Sequence, residues 1–335
     1  MSKSLAFALI VCTYKRSQAL LRLLESVKHQ TFYPNDIIIV DGSPDTLTKE
    51  VLELNSYNQL TYYQVEPALR GLTKQRNFGI SKVSKDVEVV CFLDDDTILE
   101  PTYFEQLLST YRLYPHALGV GGYITNEVSW KPHDGSKNKR FFYFGNWMRA
   151  EPFRFRVRCF FGLQPDTPPC HLPSFSHGRS VSFLPPDNSI YEVEHFMGGV
   201  ASYRKEVFDC LLFSNYFEGY GLYEDAEFCF RLLKLGKLYV HTGARLEHHH
   251  EALGRPNMFK YGKMVLINGW YVWRVRHFKP SFKACIKWHA TALLLTLLTF
   301  SGIFKSSKKK EQLQEGLGRF VGWWSLLFNK PKVDL

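Results

Sequence analysis

The feature that most constrains this chain is a series of short apolar runs, each of which stops at a polar cluster. Residues 5–12 (LAFALIVC), 36–40 (DIIIV) and 87–93 (VEVVCFL) are too short to cross a membrane. Their near-continuous apolar character reads as strands buried on both faces, as in a parallel sheet. A further strand is expected over 60–65. Helical patterns lie between them: Ser17 opens one through Leu20, Leu21, Leu24 and Val27, a weaker one covers 46–54, and a third covers 73–83. Strands alternating with helices predict a mostly parallel α/β sheet with helices on both faces. Open sheets of this kind bind ligands at the carboxyl ends of their strands. The polar clusters at 13–16, 41–43 and 94–96 fall there, so three strand ends converge on one site.

A helix starting near Pro101 and a strand over 118–124 continue the pattern. Residues 127–190 then lose periodicity and become rich in Pro, Arg and aromatics, which reads as an irregular insertion over the site. Within it, Phe153-Arg154-Phe155-Arg156-Val157-Arg158 alternates apolar and basic residues, predicting a two-faced strand in an exposed hairpin, with an acceptor or lipid-diphosphate contact as the functional alternative. Order returns over 193–203, with Gly198-Gly199 inside. A helix over 225–235 closes at Gly236, and a strand over 238–242 leads to Glu247-His248-His249-His250. Beyond Pro256 the pattern is helical, and residues 288–304 form an uncharged run between Lys287 and Lys305. The expected division is a domain over 1–254 and a helical region over 255–335.

Of the 335 residues, 45% are hydrophobic, enough for a large core, and the net charge is +10. The charge is uneven: residues 255–335 hold 15 basic and three acidic residues, leaving 27 basic against 29 acidic in 1–254. A neutral body argues against nucleic-acid binding, and a basic, apolar tail with Trp323 and Trp324 suits the surface of a membrane. The alternative is a helical subdomain packed on the sheet. Basic residues on both sides of 288–304 favour peripheral or monotopic attachment. Seven scattered cysteines without a CxxC argue against a disulfide framework and for a reducing compartment. Residues 5–12 run into Thr13-Tyr14-Lys15-Arg16 with no cleavage site, so they read as a strand and not as a signal peptide.

Asp94-Asp95-Asp96 carries the strongest local chemistry. Adjacent carboxylates raise one another's pKa unless a cation or donors compensate. In extended backbone Asp94 and Asp96 share a face, and hard oxygen ligands suit Mg²⁺ or Mn²⁺ bound with phosphates. A solvated acidic turn or a helix cap before Pro101 is the plainer reading. Glu224-Asp225 alone would serve as a charge pair for a helix N-terminus. The histidine run could be a metal site, a satisfied polar cluster or a solvated loop; alternation with Ala244 and Leu246 makes His248 the first candidate ligand, with His249 or His250 behind it. No GxxxxGK[ST] or GxGxxG follows an early strand, so a metal would have to hold any phosphates.

Taken in order, these motifs over residues 5–250 resemble the inverting family 2 glycosyltransferases of the GT-A fold. Val11-Cys12-Thr13-Tyr14-Lys15-Arg16 resembles the first-strand motif, in which Thr13, Tyr14 and Arg16 would line the nucleotide pocket. Val40-Asp41-Gly42-Ser43 is similar to the second-strand motif, whose Asp41 would hydrogen-bond the base. GLTKQRNFG, residues 71–79, is similar to the Gly-rich segment carrying Arg76 and Asn77. Asp94-Asp95-Asp96 falls where the family keeps a DxD motif for metal and ribose or diphosphate. Gly198-Gly199 resembles the small-residue turn beneath donor and acceptor, and Glu224-Asp225 the acidic pair whose Asp225 is the catalytic base.

The resemblance implies transfer of a sugar from a nucleotide-diphosphate sugar to a hydroxyl of a glycan or lipid-linked glycan, with Mn²⁺ or Mg²⁺ on Asp94, Asp96 and His248. Arg255 is a further candidate diphosphate contact. The nearest pattern is that of bacterial enzymes building surface glycans, some of which transfer rhamnose, working on the cytoplasmic face of a membrane. A processive synthase would be expected to carry several spans and a QxxRW-type motif. A non-catalytic nucleotide-sugar or glycan-binding module would tolerate loss of the carboxylates. A metal-dependent nucleotidyltransferase would show a Gly-rich basic loop where this chain has Cys12-Thr13-Tyr14.

Overall fold

The computed structural model describes residues 5–133, 135–217, 219–250, 257–304 and 307–333. The chain divides into two compact units, one of residues 1–128 and 184–254 and the other of residues 129–183 and 255–335.

The first unit begins with β1 (Phe7–Thr13), α1 (Ser17–Lys28), β2 (Asp36–Asp41), α2 (Leu47–Glu53), β3 (Leu60–Gln64), α3 (Leu72–Ile80), β4 (Val89–Asp94), β5 (Thr97–Leu99), α4 (Tyr103–Leu113) and β6 (Ala117–Ile124). The apolar runs become β1, β2 and β4 because nearly every residue in them is buried. Their backbone groups are satisfied only by neighbouring strands. Helix α1 buries Ala19, Leu20, Leu23, Leu24 and Val27, one face at helical spacing.

In the second unit the chain forms β7 (Trp130–Pro132), β8 (Phe141–Phe144) and β9 (Trp147–Ala150), a small antiparallel sheet in the order β7-β9-β8, and then α5 (Phe153–Phe160). The alternating segment is therefore a helix and not a strand. Phe155 and Arg158, three apart, form its buried face, and the Arg158 guanidinium sits 5.4 Å from the Phe155 ring. Helical spacing of one aromatic and one arginine thus wins over a period-two pattern only six residues long.

The chain returns to the first unit with β10 (Ile190–Val193), β11 (Val200–Arg204), α6 (Glu224–Leu232) and β12 (Lys237–His248). The nine-stranded sheet runs β10-β12-β6-β11-β4-β1-β2-β3, with β5 paired to β12. Strands β3, β2, β1 and β4 are mutually parallel, as are β12 and β6. Strand β11 enters antiparallel between β4 and β6. Leu9, Val11, Ile37, Ile39, Cys91 and Leu93 pack with α1 and α4 into one core.

The second unit closes with α7 (Met258–Arg276), α8 (Phe282–Ser301) and α9 (Lys309–Phe328). Asn257 and Ser281 cap the first two through their side-chain oxygens. Trp270, Trp273 and Trp288 pack between α7 and α8, with Trp270 and Trp288 edge to face at 4.8 Å. All seven cysteines are free thiols.

Candidate active site

Strand register brings the polar clusters together. Thr13 pairs with Asp41 across β1 and β2, and Cys12 pairs with Asp94 across β1 and β4, so the three carboxyl ends lie side by side. Lys15, at φ 56°, turns the chain sharply after β1, and its N–H donates to Ser43 Oγ at 2.7 Å. Tyr14 is exposed beside it. Asp41 is fully buried; its Oδ1 accepts from the Ser43 N–H at 2.7 Å and its Oδ2 from the Tyr62 hydroxyl at 2.9 Å. Gln75, which the sequence reading passed over, ties the strand ends by donating to Val40 O at 2.8 Å and Thr13 O at 3.2 Å.

The acidic triplet divides between two sets of partners, but a turn at Asp95 and Asp96, after β4 has ended at Asp94, replaces the extended backbone expected there, and Arg16 Nη1 also lies 3.4 Å from Asp96 Oδ2. Asp95 accepts from Thr13 Oγ1 at 2.6 Å and from Arg16 Nη1 at 3.0 Å. Burial pushes its carboxyl up to about 7, against the pull of Arg16. Asp94 and Asp96 join His248 instead, and one ligand atom from each of the three lies within 4.8 Å of the others. Strand β12 makes this possible: its antiparallel pairing with β5 sets His248 opposite Thr97, the residue after Asp96. His248 Nε2 is 2.9 Å from Asp96 Oδ1. Burial opposes charge on the ring, but Asp96, Asp94 and Glu127 outweigh it and hold its pKa above the ordinary value. Burial raises Asp94 as well, opposed by Arg76 and His248.

The other histidines differ. His249 pairs with Glu247 at 3.1 Å, while the His250 ring lies 4.1 Å from that of His248 and its Nε2 is 3.0 Å from Glu127 Oε1. The His248 Nδ1 is buried without a hydrogen-bond partner, and Glu127 Oε1 is 3.8 Å from it. Sequence reading missed Glu127, because only the pairing of β6 with β12 carries it to the histidines.

These donors suit a hard divalent cation. Octahedral Mg²⁺ bonds of about 2.0–2.1 Å put neighbouring ligand atoms about 3 Å apart, the spacing of the Asp96–His248 pair. The buried, unpartnered Nδ1 is a second sign, since a metal-bound imidazole ordinarily donates its other N–H to a carboxylate, and the nearest one, Glu127, lies 3.8 Å away and is shared with His250.

Arg76 forms the floor. Buried between the Phe92 and Phe213 rings, it donates to Glu224 Oε1 at 2.6 Å and lies 3.8 Å from Asp94 Oδ1. Burial, and next the Asp225 carboxylate, push Glu224 up to about 8 against the pull of Arg76. Half-buried Asp225 accepts from the Gly198 N–H at 3.0 Å through Oδ2 and from the Ala226 N–H at 2.7 Å through Oδ1. Both glycines are sterically required. A Cβ at Gly198 would meet Arg76 Nη1 at 2.7 Å and Glu224 Oε1 at 2.8 Å, and one at Gly199 would run into the Asp94 carboxylate. Asn77 stands apart, with Nδ2 donating to Phe213 O and Oδ1 accepting from Phe213 N–H, so it holds the loop before α6. Arg255 lies outside the described residues.

Residues 8–170 match the model of the family described as Glycosyl transferase family 2. The glucosyl-dolichyl phosphate glucuronosyltransferase of Haloferax volcanii is 30% identical over 129 residues, 37% of this chain and 40% of that protein. The match thus spans less than half the length of that relative. Among solved structures, S. aureus TarS 1-349 aligns with a TM-score of 0.50 at 17% identity, covering 95% of this chain and 81% of that one. GalNAc-T7, solved with UDP, GalNAc and Mn²⁺, aligns with a TM-score of 0.53 at 18% identity, covering 80% of this chain and 48% of that one. At such identities the likeness is one of fold. Residues 8–170 thus carry a glycosyl transferase family 2 domain, and strand order and the solved neighbours give the chain a GT-A-like sheet.

Proposed function

We propose that the chain is an inverting, metal-dependent glycosyltransferase of the hexosyl type, moving a sugar from a nucleotide-diphosphate sugar to a hydroxyl of a glycan or lipid-linked glycan. The observation that carries this reading is the convergence of Asp94, Asp96 and His248 beside a half-buried Asp225. Mn²⁺ in GalNAc-T7 and the dolichyl phosphate in the haloarchaeal relative's name support the cation and the lipid-linked acceptor. Asp94, Asp96 and His248 would hold Mn²⁺ or Mg²⁺, which when bound offsets the charge on the departing diphosphate.

The chain's own residues do the rest. Thr13, Tyr14, Arg16 and Asp41 belong to the nucleotide side, while Asn77, bonded to the Phe213 backbone, holds the loop before α6. Arg76 balances Glu224 and Asp94 beneath the reacting centre. Asp225, oriented by the Gly198 and Ala226 N–H groups, takes the proton of the acceptor hydroxyl as its oxygen bonds to the anomeric carbon. The bond to the diphosphate oxygen breaks in the same displacement, which inverts the configuration. Gly198 and Gly199, by lacking side chains, let Arg76, Glu224 and Asp94 close against the turn beneath the donor and acceptor. In this reading residues 1–254 form the transferase domain, and residues 255–335 attach it peripherally to the cytoplasmic face of a membrane.

Calorimetric titration with UDP, dTDP and GDP, each with Mn²⁺, Mg²⁺ or EDTA, tests it. Metal-dependent binding of one nucleotide supports the transferase and narrows the donor. No binding of any nucleotide by folded protein overturns it.

A further inference from the structure

Helix α9 is built inside out. Gly316, Gly318 and Gly322 lie on its buried side, and in place of side chains the backbones themselves meet: a Cβ at Gly318 would strike Phe259 O, and one at Gly322 would sit 3.0 Å from Lys263 O, both on α7. From the other helix, Gly262 of α7 abuts Glu315 O. Leu326 is buried beside the glycines, and most of the other large apolar residues face away. Leu313, Leu317, Phe320, Trp324, Leu327 and Phe328 recur at three- and four-residue steps and are all exposed, Trp324 at 53% and Phe328 at 72%. Phe320, Trp324 and Phe328 form a row along this face, the first pair stacked at 6.4 Å between centroids and the second tilted at 5.7 Å. Small residues inward and aromatics outward is the arrangement of helices that pack in lipid, the reverse of a helix in water.

Helix α8 carries a second such stripe. It is the one described helix long and apolar enough to cross a membrane by length and composition. Its buried residues, among them Trp288, Ala292 and Thr296, fasten one side to its neighbours, whereas Phe282, Ile286 and Leu297, and Phe304 in the turn just after the helix, are exposed. A helix held along one side offers only the other to lipid, which suits a position in the membrane plane.

Charge identifies the occupant. The 59 residues between Glu251 and Glu311 hold twelve basic residues and no acidic one. Lys308, Lys309 and Lys310 stand at the start of α9, and Lys330 and Lys332 follow its end. Lysines at both ends of an aromatic face match anionic headgroups above a hydrocarbon layer.

We infer that the outer faces of α8 and α9 form a monotopic docking surface for a bilayer rich in anionic phospholipid, with Phe320, Trp324 and Phe328 in the acyl boundary. This deepens the membrane part of the proposed function and rests on it. The sequence pointed to the basic tail as a whole, with residues 288–304 and the segment of Trp323 and Trp324; the outer face of α9 narrows the aromatic part of the contact to Phe320, Trp324 and Phe328.

Co-sedimentation of the full chain with vesicles of phosphatidylcholine, with and without phosphatidylglycerol, tests the inference. Strong pelleting is expected only with phosphatidylglycerol present, and Trp324→Ser/Phe328→Ser should lower vesicle partition about tenfold or more with the fold intact by circular dichroism. Lys308→Gln/Lys309→Gln/Lys310→Gln should lose the preference for phosphatidylglycerol. Quenching of wild-type tryptophan fluorescence by brominated acyl chains gives a readout that needs no substitution. Wild-type pelleting by the double serine variant, or no quenching, overturns the inference. A wild-type dimer that ignores vesicles and becomes monomeric in the double variant also overturns it, in favour of a second copy. Sugar transfer in detergent is scored separately: its absence with vesicle binding intact removes the transferase reading alone, and its presence without vesicle binding removes the docking surface alone.

Discussion

His248 Nε2 lies 2.9 Å from Asp96 Oδ1 across 152 residues of sequence. Nearby carboxylates hold the His248 pKa above 6.5, so below that raised pKa a metal must displace a proton from the ring. Mn²⁺ affinity should therefore weaken as pH falls through the raised pKa and level off above it. Calorimetry across that range checks this, and Glu127→Gln, by withdrawing the carboxylate beside Nδ1, should cost about 10–100-fold in metal affinity.

Asp225→Asn should lower turnover by about 10²–10⁴-fold while leaving nucleotide affinity near wild type. The carboxamide keeps one oxygen for the Gly198 N–H, so the loop stays in place while the proton acceptor is lost. Steady-state kinetics beside nucleotide titration separates the two. Unchanged turnover would remove Asp225 as the base.

Gly199→Ala drives a methyl group into the Asp94 carboxylate. Overpacking of this kind costs about 1–3 kcal/mol, and here it also moves a candidate metal ligand. Thermal unfolding should fall together with Mn²⁺ affinity; a full-strength metal site in the alanine variant would argue against Asp94 as a ligand.

Arg76→Met leaves the Glu224 carboxyl, which burial pushes up to about 8, without its hydrogen-bond partner and should destabilise the first unit by about 1–3 kcal/mol. Adding Glu224→Leu should recover much of that loss, since an apolar pair of similar volume replaces the two polar groups. Urea unfolding of the single and double variants measures the coupling.

His241 supplies an acid-side prediction away from the metal ligands. Burial lowers its pKa below 6.5, and its Nδ1 is 2.8 Å from Gln106 O and 3.1 Å from Thr110 Oγ1. Below pH 6.5 the unfolded chain gains a proton that the folded ring resists, so stability should fall as pH drops through that window. His241→Gln should flatten this part of the stability profile in urea titrations at stepped pH.

The sheet and the acidic triplet were legible in the sequence because continuous burial and adjacent charge leave local marks. Strand alternation predicted that Asp94 and Asp96 would share a face, but a turn at residues 95–96 is what brings the two together; alternation along β12 ranked His248 ahead of its two neighbours. Glu127 left no mark, because its place depends on β6 lying beside β12. Helix α5 was misread since six residues satisfy two periods, and only the pairing of Phe155 with Arg158 selects between them. The inverted faces of α9 escaped notice for a related reason: periodicity reports that a helix has two faces, while glycine contacts decide which one is covered.

The placement of β11 between β4 and β6 bears on how the protein is made. Strands β1 to β4 can assemble from the first hundred residues to leave the ribosome. The open edge of β4 and the matching edge of β6 then wait until residues 200–204 arrive, after the whole of residues 129–183 has been synthesised. An apolar strand with an unpaired edge is a template for joining another chain. The nascent protein is therefore most vulnerable to aggregation in that interval, and truncations ending before Val200 should be the least soluble forms of this chain.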